Sequence, residues 1–118
     1  MYKKDLELER NWQALRLKLK EVIGRKPKDV NAILFLIGVQ ELGKGPRAFS
    51  KEEKQDLLHI AICKLLSLSG FYELEGTDDQ GWPHWKLIKA VPHFDLLEQE
   101  KLLKMQILEY FEQETQLD

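Results

Sequence analysis

The chain of 118 residues contains one cysteine, Cys63, and no long apolar run. A single cysteine excludes an intrachain disulfide, which small secreted domains usually need, so the sequence favours a reducing compartment. The longest apolar stretch, residues 30–39, contains Asn31 and is far shorter than the ~20 residues that span a bilayer. The N-terminus lacks the apolar run of a signal peptide. We therefore expect a cytoplasmic protein without a membrane partner.

Strong net charge is also absent, because the formal charge is −2. The charges are nevertheless uneven: residues 1–28 hold nine Lys and Arg against four Asp and Glu, and residues 95–118 hold two against seven. The favoured interpretation is that the two ends attract each other, within one molecule or between two. The alternative is a basic nucleic-acid patch at the N-terminal end, which the modest overall charge disfavours.

The length and composition fit one folded domain over residues 1–118. The chain is 43% hydrophobic and 32% charged, as expected of a folded, soluble globule rather than a disordered segment. Two domains within this length would each have a very small core.

Apolar periodicity predicts two helices in the first part of the chain. Over residues 4–23, apolar side chains recur at spacings of four and three, which places them on one face: Leu8, Trp12, Leu15, Leu19 and Val22. Residues 30–42 are apolar on nearly every side, which predicts a helix in the middle of the domain. Gly24 and the loop from Gly43 end these helices.

Two further helices begin with capping boxes. Ser50 followed by Glu53 predicts the start of a helix that runs to about Ser69. Asp95 followed by Glu98 predicts the start of the last helix, on which Leu96, Leu103, Ile107, Tyr110 and Phe111 share a face, whereas Leu102 and Met105 lie off that face.

A β-hairpin is predicted between the third and fourth helices. Residues 71–75 and 82–88 are aromatic, alternating runs on either side of a Gly/Asp-rich turn. Alternation places Tyr72 and Leu74 opposite Trp85 and Leu87, with Trp82 and His84 on the other face. The predicted fold class is mainly α, of the α+β type, with about four helices and one hairpin.

The order of three helices followed by a hairpin, over roughly residues 4–89, resembles a winged-helix module. The resemblance implies that the third helix enters the major groove of DNA and that the hairpin is the wing. The hairpin and its turn, however, carry four acidic residues before the first base, Lys86, and would repel phosphate. Some winged helices bind proteins instead, and that version fits this sequence better.

No sequence pattern indicates a cofactor. Gly38 to Lys44 has the spacing of a phosphate-binding loop, but Gly45 replaces the Ser or Thr that would reach magnesium. On the third helix, Asp56, His59 and Cys63 share the polar face with Glu52, and His59 with Cys63 form a one-turn pair that zinc accepts. A metal site is disfavoured because no second group of ligands appears.

A non-catalytic protein-interaction or regulatory module is the leading functional prediction, with a protein partner or a second copy as the ligand. The alternatives are a winged-helix-like nucleic-acid-binding protein and, less favoured, a metal-binding protein. Residues expected to be exposed beside a hairpin, loop or helix form the predicted interaction surface: Trp82, His84, Arg47, Phe49, Leu102 and Met105.

Overall fold

The computed structural model describes residues 2–45, 47–93 and 95–114, with side chains described between Asp5 and Gln113. Four helices and two strands follow in the order α1 (Tyr2–Ile23), α2 (Val30–Leu42), α3 (Lys51–Ser67), β1 (Tyr72–Thr77), β2 (Pro83–Leu87) and α4 (Leu96–Glu114). The two strands form an antiparallel hairpin between α3 and α4, which confirms the predicted α+β class.

Backbone proximity divides the chain into two compact units. Unit 1 comprises Met1–Val30 and Phe94–Asp118, and unit 2 comprises Asn31–His93. The single domain over residues 1–118 stays a prediction. Among the described residues, no helix combines the length and apolarity that a bilayer crossing requires.

Unit 1 is built on α1 and α4. Two ion pairs join the helices: Lys101 Nζ lies 3.1 Å from Asp5 Oδ2, and Lys104 Nζ lies 3.3 Å from Glu9 Oε2. The residue numbers increase together on the two helices from the first pair to the second, so α1 and α4 run parallel here. In both pairs α1 supplies the acid and α4 supplies the base, which is the opposite of the expected attraction between a basic N-terminal end and an acidic C-terminal end. That attraction stays a prediction.

The apolar faces of α1 and α4 are shorter than the periodicity predicts. Trp12, Leu15 and Leu19 are buried on α1, but Val22 is 80% exposed. Leu96, at the start of α4, is 84% exposed. Val22 and Leu96 were assigned to the apolar faces of their helices but lie beyond the buried parts of those faces, because periodicity identifies a helix face but not how far its packing partner extends along it.

Unit 2 depends on a close approach of α2 to α3. Ile33, Ile37 and Gly38 are buried on α2, which confirms that this helix lies in a core. A Cβ atom added to Gly38 would lie 2.3 Å from the backbone oxygen of Leu57 on α3. Glycine is therefore required for the spacing of these helices, and Gly38 belongs to packing rather than to a phosphate-binding loop.

Helix α3 has a capping motif at each end. The predicted capping box is confirmed: Glu53 N–H donates to Ser50 Oγ at 3.1 Å, and Ser50 N–H donates to Glu53 Oε1 at 2.9 Å. At the other end, Gly70 has φ of +82°, and Phe71 N–H donates to the Leu66 carbonyl at 3.1 Å. This reversal is a Schellman motif, which leads the chain directly from α3 into the hairpin.

The hairpin register also matches the prediction. Tyr72 pairs with Leu87, and Leu74 pairs with Trp85. The register shifts between Leu74 and Gly76, which indicates a bulge at Glu75. The sequence pattern did not predict this irregularity, which ends the simple alternation of faces before the turn.

Candidate functional site

A cleft in unit 2 lies between the polar side of α3 and the turn end of the hairpin. Its cavity volume is about 430 Å³. We call the α3 part the helix wall and the remainder the hairpin wall. The helix wall consists of Glu53, Asp56, His59 and Ile60, and the hairpin wall consists of Asp78, Gln80, Trp82, Pro83, His84 and Trp85.

The helix wall shares Asp56 and His59 with the polar face that the sequence identified, but not Glu52 or Cys63. Asp56 and His59 lie at a spacing of three residues and therefore on neighbouring positions of one helix face. Both side chains are exposed, and Glu53 rather than Glu52 completes the acidic part of this wall. The Ser50 backbone N–H, followed by the charge of Arg47, holds the pKa of Glu53 below its usual value.

Cys63 lies behind this wall instead of forming part of its surface. The residue is 0% exposed, and its Sγ lies 3.4 Å from His59 Nε2. Burial raises the pKa of the Cys63 thiol to about 11. A thiol in this state is largely protonated at neutral pH and is therefore a poor nucleophile.

The predicted metal ligands do not assemble into a coordination sphere. Asp56, His59 and Cys63 all belong to the described part of the chain, and no group of three His, Cys, Asp or Glu side chains there is placed to hold a metal ion. The His59–Cys63 pair instead supplies a weak hydrogen bond between the helix wall and the core beneath it.

Asp78 organises the hairpin wall. Its Oδ1 accepts hydrogen bonds from the backbone N–H groups of Gln80 at 2.9 Å and Trp82 at 3.0 Å, and its Oδ2 lies 3.0 Å from His84 Nε2. These contacts lower the pKa of Asp78 below its usual value of 3.8, and the hydrogen bond to His84 has the largest effect. The carboxylate therefore fixes both the turn and the position of the His84 imidazole, whose side chain stays 60% exposed.

Both tryptophans of the hairpin wall are partly buried, and Trp82 is anchored on the core. Trp82 is half-buried and packs against a core cluster of Leu42, Phe49 and Leu57. Trp85 is also half-buried, and among the described residues its indole Nε1 is buried without a hydrogen-bond partner. Alternation placed Trp85 on the face opposite Trp82 and His84, but all three residues line the same cleft.

Three described residues of the loop between α2 and α3 contact other parts of unit 2. Phe49 is buried, and its ring meets that of Phe35 edge-on at a centroid distance of 6.0 Å. The prediction of Phe49 as a surface contact is therefore wrong: an aromatic side chain beside a helix cap was available to fill the core. Arg47 remains exposed, lies over the Phe49 ring and pairs with Glu53 at 3.2 Å. Lys44 donates to the Gln80 carbonyl in the hairpin turn.

The remaining predicted contact residues belong to α4 in unit 1. Met105 is 57% exposed, as expected for a residue off the buried face, whereas Leu102 is half-buried. Neither residue lines the cleft. The structure thus brings together Trp82, His84, Asp56 and His59 from two separate predictions and leaves the α4 pair apart from them.

The acidic walls of the cleft bear on the resemblance to a winged-helix module. The positions that would approach DNA, on α3 and the hairpin turn, carry the carboxylates of Glu53, Asp56 and Asp78 beside the cleft. Arg47 is already paired with Glu53. These charges would repel a phosphate backbone, so the geometry disfavours duplex binding through this part of unit 2.

Comparison of the chain with protein-family models, with curated proteins and with solved structures finds no match.

Proposed function

We propose that this protein is a non-catalytic interaction module that binds a segment of a partner protein in the cleft of unit 2. The observation that carries the proposal is the combination of two half-buried indoles and a proline with exposed polar side chains in one cavity. Binding sites combine apolar area with a few placed polar groups in this way, and tryptophan is enriched among the residues that dominate protein contacts.

The anchoring of the hairpin wall supports binding of this kind. Trp82 is held by the core cluster, and the turn that presents it is held by Asp78 and Lys44. A surface whose side chains are already ordered loses less conformational entropy when a partner binds. The high pKa of the Cys63 thiol supports the absence of thiol chemistry, and a free buried thiol fits the proposed cytoplasmic location.

The experiment is a selection of peptides from a random library displayed on phage, followed by titration of a selected synthetic peptide into isotope-labelled protein. We expect the indole N–H signals of Trp82 and Trp85 to shift. His84→Arg places a long side chain in the cleft and should weaken binding at least about tenfold, which corresponds to about 1.4 kcal/mol.

Met105→Asp is the matched control, since it places a charge on an exposed α4 residue outside the cleft. It should leave peptide affinity unchanged. If Met105→Asp instead abolished peptide binding or self-association and His84→Arg did not, the interaction surface would lie on α4 rather than in the cleft. Failure to select any cleft-binding peptide would reject the proposal.

A further inference from the structure

The charge of the cleft is one-sided. Three carboxylates line it, from Glu53, Asp56 and Asp78, and no Lys or Arg occurs among the described residues that form its walls. Concave sites lined by one sign of charge concentrate ligands of the opposite sign. Two bases lie at the edge of the cleft: Arg47 offsets the charge of Glu53, and the Lys44 ammonium contacts the Gln80 carbonyl. Asp56 and Asp78 have no Lys or Arg partner among the described residues.

The three carboxylates differ in their availability to a ligand. Glu53 is engaged by the Ser50 backbone and by Arg47. Asp78 is engaged by the turn backbone and by His84. Asp56 is exposed, and its side chain has no hydrogen bond or ion pair with any residue in the described part of the chain. It is therefore the carboxylate that a bound cation would meet.

Aromatic faces complete the same site. Indole is the strongest aromatic partner for Lys and Arg cations, and Trp82 and Trp85 line the cavity that contains Asp56. The indole N–H of Trp85 is a buried donor without an acceptor among the described residues. The volume of about 430 Å³ suits one long side chain with its adjoining backbone.

From these features we infer that the cleft recognises a Lys or Arg side chain in an extended segment of a partner protein. The carboxylate of Asp56 holds the cation, and the indoles of Trp82 and Trp85 hold the aliphatic stem and flanking backbone. This inference rests on the proposed interaction function, to which it adds the chemistry of the bound residue.

The test uses pools of random peptides, each with one central residue fixed, titrated into labelled full-length protein while the Trp82 and Trp85 indole signals are followed. Pools with Lys or Arg fixed should bind at least about tenfold more tightly than pools with Gln or Glu fixed. Asp56→Asn should remove most of this preference. Glu52→Gln is the matched control, because it makes the same charge change at an exposed α3 position outside the cleft.

The outcomes separate this inference from the proposed function. Loss of the Lys and Arg preference in Asp56→Asn but not in Glu52→Gln would support it. Cleft binding that prefers Gln or Glu, or a Lys preference equally reduced by both variants, would overturn the inference and leave peptide binding intact. Absence of indole shifts with every pool would overturn both.

Discussion

The helix wall and the hairpin wall of the cleft each carry a carboxylate and a histidine, but the carboxylates differ in their hydrogen bonding. On the hairpin wall, the Asp78 carboxylate accepts two backbone N–H groups and contacts His84. On the helix wall, the Asp56 side chain forms no hydrogen bond or ion pair with any described residue. A turn has few backbone hydrogen bonds of its own and must be held by side chains, whereas a helix satisfies its backbone internally. The helix can therefore present an unengaged carboxylate to a ligand, whereas the carboxylate of Asp78 is used to build the cleft.

The largest expected change in the free energy of unfolding comes from disturbing the contact between α2 and α3, the helix that carries the helix wall. In an ordinary helix, replacing glycine with alanine is favourable by about 1 kcal/mol. At Gly38 the added methyl would meet the Leu57 carbonyl oxygen at 2.3 Å, so Gly38→Ala should instead lower the free energy of unfolding by roughly 3 kcal/mol. Urea denaturation measures this change. Gln40→Ala, at an exposed position of α2, should change it by less than about 0.5 kcal/mol. A stabilised Gly38→Ala variant would contradict the close helix contact.

The next effect concerns the start of the same wall. Ser50→Ala removes the acceptor for the Glu53 backbone N–H and should lower the free energy of unfolding by about 1 kcal/mol. Ser50→Asp keeps an acceptor at the cap and should recover most of this loss. Equal destabilisation by both variants, measured by urea denaturation, would show that the cap hydrogen bond is not the cause.

A smaller and pH-dependent effect is expected on the hairpin wall. Because the pKa of Asp78 is lower in the folded protein than its usual 3.8, its ionised form contributes stability above about pH 4, and this contribution disappears as the pH falls through the lowered folded value. Asp78→Asn retains an acceptor for the turn but not the charge. The variant should be less stable than the wild type at pH 6, by less than Ser50→Ala, and the gap should narrow as the pH falls below about 4.

Asp79→Asn provides the control for this measurement, since Asp79 is an exposed neighbour in the same turn and does not line the cleft. Thermal unfolding of the three proteins between pH 2 and pH 7 gives the comparison. A gap between wild type and Asp78→Asn that stays constant over this range would mean that the charge of Asp78 does not stabilise the hairpin.

Local signals explain which parts of the structure the sequence predicts well. The capping box at Ser50 is a contact between residues three apart, and α2 matches its predicted bounds because its apolar run ends at a glycine loop. The pairing of Leu74 with Trp85 followed from alternation on either side of one turn. The bulge at Glu75 did not follow, because a register shift depends on the partner strand as well as on the sequence of its own strand.

The cleft itself could be predicted only in parts. Asp56 and His59 were identified as one polar helix face, and Trp82 and His84 as one hairpin surface, but no periodicity relates a helix to a strand some 20 residues later. Phe49 is the opposite case, in which a residue predicted to be exposed is buried. Its loop position indicated exposure, whereas its ring packs beside Phe35 in the core cluster that contains Leu57. Burial in a loop depends on space that distant elements leave open.

Trp82 takes part in both the cleft and the core cluster, and this shared position has a thermodynamic consequence. A ligand that binds only the folded cleft stabilises unit 2 by mass action, by about 2.7 kcal/mol at a concentration one hundred times its dissociation constant. By the same linkage, loosening of the packing beneath Trp82 would reduce the fraction of molecules able to bind. Occupancy of the cleft and cohesion of the hydrophobic interior should therefore rise and fall together.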